Sequence, residues 1–300
     1  MANTISDKLT YLEGTKSAIK DAIVAKGVAV SDSDTFRSYA DKIEQIESGG
    51  GKADANNKWV NFNAIPDVQQ SDIDSVDFSN LTYVDSIKRK FYNTYFLGNV
   101  SIPISGLTNA AYLFYGSKQN AGSTFTLNDN IFINTFDLSS AFYNAQLIEH
   151  YTFQSPVCTN YNNMFRSGSS NTSYIKLVSF DVDTAAGKRF DYMFCGSSLT
   201  DCKINLSNAI DIGTEPTNSI FVRCYSLANL SFYGTIPALN FYLGDCRVLS
   251  SQSVDNILNA IVDLTGETTK TITFNSTVYN TLTEEQKSLA ASKNWTLASA

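Results

Sequence analysis

From residue 73 onward one apolar pattern keeps returning: an apolar residue, two of any kind, a second apolar residue, one of any kind, and a third. Ile73, Val76 and Phe78 fit it, as do Leu97, Val100 and Ile102, then Ile148, Tyr151 and Phe153. Ile175, Val178 and Phe180 follow, then Leu199, Cys202 and Ile204, and Leu227, Leu230 and Phe232, with a weaker copy at Gly122, Phe125 and Leu127. The period is about 26 residues, which falls among repeat architectures rather than ordinary globular folds. The last two apolar positions lie two apart, so both point to one face of a strand. Repeats stacked on that face form a parallel sheet over a continuous apolar column. A repeat of this kind cannot bury its apolar face alone, so the pattern demands a stack.

A second anchor precedes each strand. Phe91, Phe114, Phe142, Phe165, Phe194 and Phe221 recur in short variants of one phrase, such as YLFYGSK, AFYNAQLI and YMFCGSSL, and Leu243 takes the same place before Leu249. The phenylalanine is predicted to fill the back of each coil, with the following Gly, Asn, Ser or Cys turning the chain into the strand. This accounts for the cysteines. Cys195 lies beside an anchor, Cys202 takes a strand core slot, and Cys224 and Cys246 enter a strand slot in C-x-x-L; with Cys158 they are read as small buried hydrophobes. Their odd count and irregular spacing do not fit a disulfide framework. Neither they nor His150, the single histidine, show zinc spacing. No metal, cofactor or catalytic residue is expected.

Residues 1–47 read as a helical hairpin that anchors or oligomerises. Ile5, Leu9, Leu12, Ile19 and Ile23 step by four and three, with Lys16 in the missing slot, and form the candidate helical interface. Gly27 stops this helix, and a second begins near Ser33 or Asp34. Residues 48–57 are a glycine-containing linker, 58–250 the repeat region and 251–300 a cap. In the cap, Val254, Ile257, Leu258 and Ile261 form an apolar helix face, a strand falls near Thr271–Phe274, and Thr283 with Gln286 makes a capping box. Trp295 and Leu297 close the core. The fold class is α+β: a helical hairpin, then a leucine-rich-repeat-like solenoid with a parallel sheet and an α/β cap.

The sheet has outward residues between its core positions. One row is Ser75, Asn99, Thr124, His150, Leu177, Asp201 and Asn229; the other is Asp77, Ser101, Thr126, Thr152, Ser179, Lys203 and Ser231. These hydroxyls and amides make the candidate ligand-facing surface. A net charge of −7 and a pI near 4.8 exclude nucleic acid as partner; the densest basic run is Lys88-Arg89-Lys90. No run of 18 apolar residues suggests a membrane span. The N-terminus lacks the pattern of a signal peptide, so the chain is expected to stay in the cytoplasm where it is made.

YMFCGSSLTDCKINLSNAIDI resembles the repeating unit of BspA-type leucine-rich repeats, and the likeness recurs, degenerate in each copy, across residues 73–250. The C-terminal segment, from LSSQSVDNILNAIVDL onward, resembles the closing segment of such proteins in gut bacteria and their phages. KLTYLEGTKSAIKDAIVAKGVAVSDSDTFRSYADKI looks like a module that begins structural proteins of tailed phages, among them crAss-like phages of Bacteroidales. The resemblance implies a non-enzymatic virion protein, a head or tail fibre or decoration. Its helices would bind other virion proteins or copies of itself, a trimer being one form, and its solenoid a host surface protein or glycan. The alternatives are a bacterial leucine-rich-repeat adhesin and a glycan depolymerase using Asp181, Asp183 or Asp201.

Overall fold

A computed structural model describes residues 4–24, 29–44, 91–168 and 176–300, with the backbone of 58–59, 72–73 and 75–76. Gly27, the 48–57 linker, Asp77, Phe78, the Lys88–Lys90 run and Ile175 lie outside the described residues. By their contacts the residues fall into two compact units, Met1–Lys52 and Ala53–Ala300.

In the first unit, α1 (Ile5–Val24) is followed by a single 3-10 turn (Phe36–Ser38) that runs into α2 (Tyr39–Glu44). Thr35 caps that turn, its side chain accepting from the Ser38 amide. A six-residue α2 makes this only loosely a hairpin. Its short length decides what it covers. Ile23 and Tyr39 are buried, and the Lys16 ammonium lies 5.8 Å from the Tyr39 ring centroid. Ile5, Leu9 and Leu12 stay 79%, 56% and 59% exposed, while Ile19 is half-buried. The predicted interface therefore divides. Ile23 is spent inside the unit, while Ile5, Leu9 and Leu12 remain for an outer contact.

The second unit is mixed α/β, built of short parallel strands with few helices, and no sheet among the described residues closes into a barrel. Its strands are β1 (Lys58–Trp59), β2 (Asp72–Ile73), β3 (Ser75–Val76), β4 (Tyr95–Phe96), β5 (Val100–Ile102), β6 (Lys118–Gln119), β7 (Phe125–Leu127), β8 (His150–Tyr151), β9 (Ser179–Asp181), β10 (Asp201–Ile204) and β11 (Asn229–Phe232). β1 pairs with β3, β5 with β7, and β2, β4 and β6 form a third small sheet. β8 to β11 lie side by side in sequence order. Every pairing is parallel.

What holds successive passes of the chain together is the phenylalanine column. Phe91, Phe114, Phe142, Phe165, Phe194 and Phe221 are each at most 1% exposed. Their rings follow one another at 5.5, 5.3, 5.2, 6.1 and 5.5 Å, with neighbouring planes within 25° of parallel. Offset stacks of this kind add about 0.5–1.5 kcal/mol per pair beyond the burial of the rings. The backbone reinforces them: Phe114, Phe142, Phe165 and Phe194 each donate an amide to a carbonyl of the next pass.

Tight turning on both sides of Phe114, Phe142 and Phe194, and on one side of Phe91, Phe165 and Phe221, is written in left-handed residues. Two residues before the ring sit Tyr112, Ser140, Asn163 and Tyr192, and two after it Asn93, Gly116, Asn144, Gly196 and Arg223, all at positive φ. At Gly116 (φ +69°) a Cβ would lie 2.0 Å from Asn93 Oδ1, so that turn needs glycine for space as well as conformation. Asparagine tolerates the same region, which explains its alternation with glycine here. A further column precedes the anchors. The side chains of Asn109, Asp137, Asn160 and Asp211 each accept from the amide two residues on, at 3.0–3.3 Å, while their backbones form isolated parallel bridges through Arg189.

The cap follows the prediction closely. β12 (Phe241–Leu243), β13 (Lys270–Phe274) and β14 (Trp295–Ser299) form one parallel sheet, with α3 (Ser251–Ala260), α4 (Ser276–Tyr279) and α5 (Glu284–Ser292) around it. Val254, Ile257, Leu258, Ile261 and Trp295 are buried. The Thr283–Gln286 capping box opens α5, with both reciprocal bonds present. Lys293 closes α3, donating to the carbonyls of Leu258, Asn259 and Ile261 at 2.9–3.2 Å. α3 also seals the open edge of β11. Ser253 Oγ accepts from the Leu230 amide and donates to the Ala228 carbonyl, both at 2.9 Å, and Asn256 Nδ2 donates to the Leu230 carbonyl at 3.0 Å. An edge strand left without such partners invites pairing with another chain.

Candidate binding face

The parallel register fixes which residues face outward. Ser179 pairs with His150 on one side and Asp201 on the other, while Phe180 pairs with Tyr151 and Cys202. The frame of this copy is therefore Leu177, Phe180 and Val182, all buried, not Ile175, Val178 and Phe180. Leu177 is removed from the outward face and becomes the inward residue that opens the copy, matching Leu199 and Leu227. Ser179 moves into the row of His150, Asp201 and Asn229, and Asp181 takes the place predicted for Ser179 beside Lys203.

The predicted face also divides between sheets. Asn99, Ser101, Thr124 and Thr126 stand exposed on and beside β5 and β7, where Asn99 Oδ1 accepts from the Thr124 amide at 2.9 Å. His150, Ser179, Asp201, Lys203, Asn229 and Ser231 lie on the four-stranded sheet, with Thr152 just beyond β8. His150 Nδ1 and Ser179 Oγ are 2.8 Å apart, so the neighbour of His150 is a serine hydroxyl where a leucine was expected. In an acyl-transfer triad a carboxylate holds the histidine while the histidine serves the serine. Here Ser179 stands between His150 and Asp201 in register, and Asp201 is engaged by Thr200 and Asn229.

On the four-stranded sheet the polar residues converge on a depression of about 440 Å³ walled by Ser250, Gln252, Ser253 and Asn256 of α3 and its cap. Asp201 accepts from the Thr200 hydroxyl and, at 2.7 Å, from Asn229 Nδ2; these bonds, that of Thr200 first, hold its carboxyl below the ordinary range. Asp181 accepts from the Tyr233 hydroxyl, whose pKa that bond pushes up to about 12. The Lys203 ammonium lies 4.0 Å from the Tyr233 ring centroid. Asp183 is committed to a turn, accepting from the Ala185 amide at 3.1 Å and from Asn205 Nδ2 at 2.8 Å. Glycoside hydrolysis requires one carboxyl with a raised pKa as proton donor. Asp201 is shifted the opposite way, and Asp183 Oδ1 is already engaged by the Ala185 amide and Asn205 Nδ2. Gln252, Asn256 and Tyr233 were not singled out in the sequence; Gln252 and Asn256 lie on α3 beside, not within, its apolar face.

All five cysteines are free and buried. Cys202 takes its predicted strand slot, and Cys195 sits beside its anchor. Cys224 and Cys246 are placed differently from expectation: they lie in the turn, not the strand. Each amide donates three residues back, to Phe221 and Leu243, as that of Ser197 does to Phe194. Their slot is the one held by Thr94, Ser117 and Ser197 in other passes, and Cys224 Sγ donates to the Phe194 carbonyl at 3.1 Å. Burial raises all five thiols, Cys158 to about 12, and Cys195, Cys202, Cys224 and Cys246 likewise upward. The thiolate is the reactive form. None of the five is therefore expected to react with Ellman's reagent in the native protein within minutes, and all five after denaturation; a fast native thiol would show that a cysteine is chemically poised.

Among the described residues no group of three or more His, Cys, Asp or Glu is placed to hold a metal ion, and no helix is long and apolar enough to cross a membrane. Compared with known proteins, the chain matches no family model, no curated protein and no solved structure.

Proposed function

We propose that this chain is a non-enzymatic structural protein of a tailed-phage particle, a head or tail fibre or decoration. Its second unit acts as a leucine-rich-repeat-like solenoid that meets the host surface. The particle assignment rests on the resemblance of the N-terminal module and of the repeated phrase. The observation that carries the binding role is the convergence of polar side chains on β9 to β11 into a depression with a helical wall. The assembly role rests on Ile5, Leu9 and Leu12, which stand exposed at coiled-coil spacing on α1. They fit other virion proteins or a second and third copy of this chain.

The test compares the full chain with one starting at residue 58, by native mass and by retention on intact Bacteroidales cells. The expected result is an oligomeric full chain, a folded monomeric truncation, and retention of both. Two monomers would overturn self-assembly through α1. Absence of retention for both would overturn the binding role, and release of sugars from the cells would overturn the non-enzymatic one.

A further inference from the structure

Resting on that reading of the sheet face, we infer that the depression between β9 to β11 and α3 is a site for a neutral, hydroxyl-rich glycan. Its hydrogen-bonding groups are partly used among themselves, and what is left over is mixed in kind. Asn229 donates its amide to Asp201, leaving a carbonyl oxygen to accept. Gln252 donates to Asn256 at 3.2 Å and likewise keeps its carbonyl oxygen. Asp181 spends one oxygen on Tyr233. Lys203 supplies only donors, and Ser231 supplies either. Acceptors and donors thus alternate on strands spaced about 4.8 Å apart. A sugar hydroxyl both donates and accepts, so adjacent hydroxyls of one ring match such a lattice. A ligand with one kind of group would not.

Charge narrows the class. Asp181 and Asp201 outnumber Lys203, so the depression carries a net negative charge that disfavours uronate, sialylated, sulfated or phosphorylated chains. Size and the lack of large outward apolar side chains argue against a protein partner. The volume lies in the range of small-ligand sites, about 300–1,000 Å³. The outward residues offer no cluster of large apolar anchors, which protein interfaces concentrate at their centres. Beside them the exposed aromatic is Tyr233, 42% exposed, with Lys203 over its ring, while Phe180 lies buried beneath.

The full chain should be applied to an array of immobilised glycans that includes neutral, uronate, sialylated and sulfated members. Asn229→Ala, Asp181→Asn and, in the loop before β13 and away from the outward rows, the exposed Glu267→Gln are run beside it, each checked for unchanged thermal unfolding. Retention on neutral glycans is expected. It should fall about tenfold or more in Asn229→Ala and Asp181→Asn and stay unchanged in Glu267→Gln. Retention only on acidic glycans, retention on none, or neutral binding indifferent to the Asn229 and Asp181 changes would each overturn the inference. A blank array with cells still retaining the protein means the ligand is of another class while the binding face stands. A blank array without cell retention means both fall.

Discussion

Phe165→Ala is expected to cost about 3–5 kcal/mol, the range for a buried aromatic truncated to a methyl group. The ring is 1% exposed and stacked on both sides, by Phe142 at 5.2 Å and Phe194 at 6.1 Å, with Tyr151 and Phe180 edge-on. Removing it interrupts the column at its centre, so both neighbours lose a partner and the cavity cannot collapse from either side. For a unit of this size, at about 2 °C per kcal/mol, thermal unfolding should shift down by roughly 6–10 °C. Phe165→Leu keeps most of the volume and should cost less than half as much. Circular dichroism during heating reads both. A loss below 1 kcal/mol for the alanine variant would mean that the column is not what binds one pass to the next.

Removing residues 251–300 should be as severe, with a different outcome. It takes away Ser253 and Asn256, which satisfy the edge of β11, and exposes the Ala228 and Leu230 backbone. It also strips β13 from β12 and uncovers Phe241 and Leu243, now 1% and 0% exposed. The shortened chain is expected to be insoluble or to elute as large aggregates on gel filtration. A soluble species of 1–250 with an unchanged circular dichroism spectrum would show that the repeats need no terminal cap.

The phenylalanine column and the cap were legible because each is a hydrophobic signal with a fixed spacing. Phe91 to Phe221 recur with the same neighbours, and Val254 to Ile261 repeat at helical steps. The frame at residues 175–182 was not legible in the same way. IKLVSFDV satisfies the apolar pattern twice, once from Ile175 and once from Leu177, and only pairing with Tyr151 and Cys202 chooses between them. That single shift of two residues moved Leu177 inward and brought Asp181 to the surface. The Asx column at Asn109, Asp137, Asn160 and Asp211 escaped because polar turn residues leave no trace in hydrophobic periodicity. The wall of the depression escaped for a related reason: α3 announces its buried side, while Gln252 and Asn256 act from another. On α1 the spacing of Ile5 to Ile23 was plain, but how much of that seam α2 covers depends on where α2 ends.

The uneven lengths of the passes have an evolutionary consequence. Hydrogen bonds joining one pass to its neighbour span from 21 to 30 residues of chain, yet the stacked rings keep to 5.2–6.1 Å. Surplus residues are therefore absorbed outside the column, where doubling a loop costs only about 0.6 kcal/mol. A gene built this way can gain or lose one whole pass by unequal recombination and still close its core, because each new phenylalanine meets the same two faces as the one it displaces. The number of passes and of outward-facing rows would then change in discrete steps while both ends of the stack stay as they are.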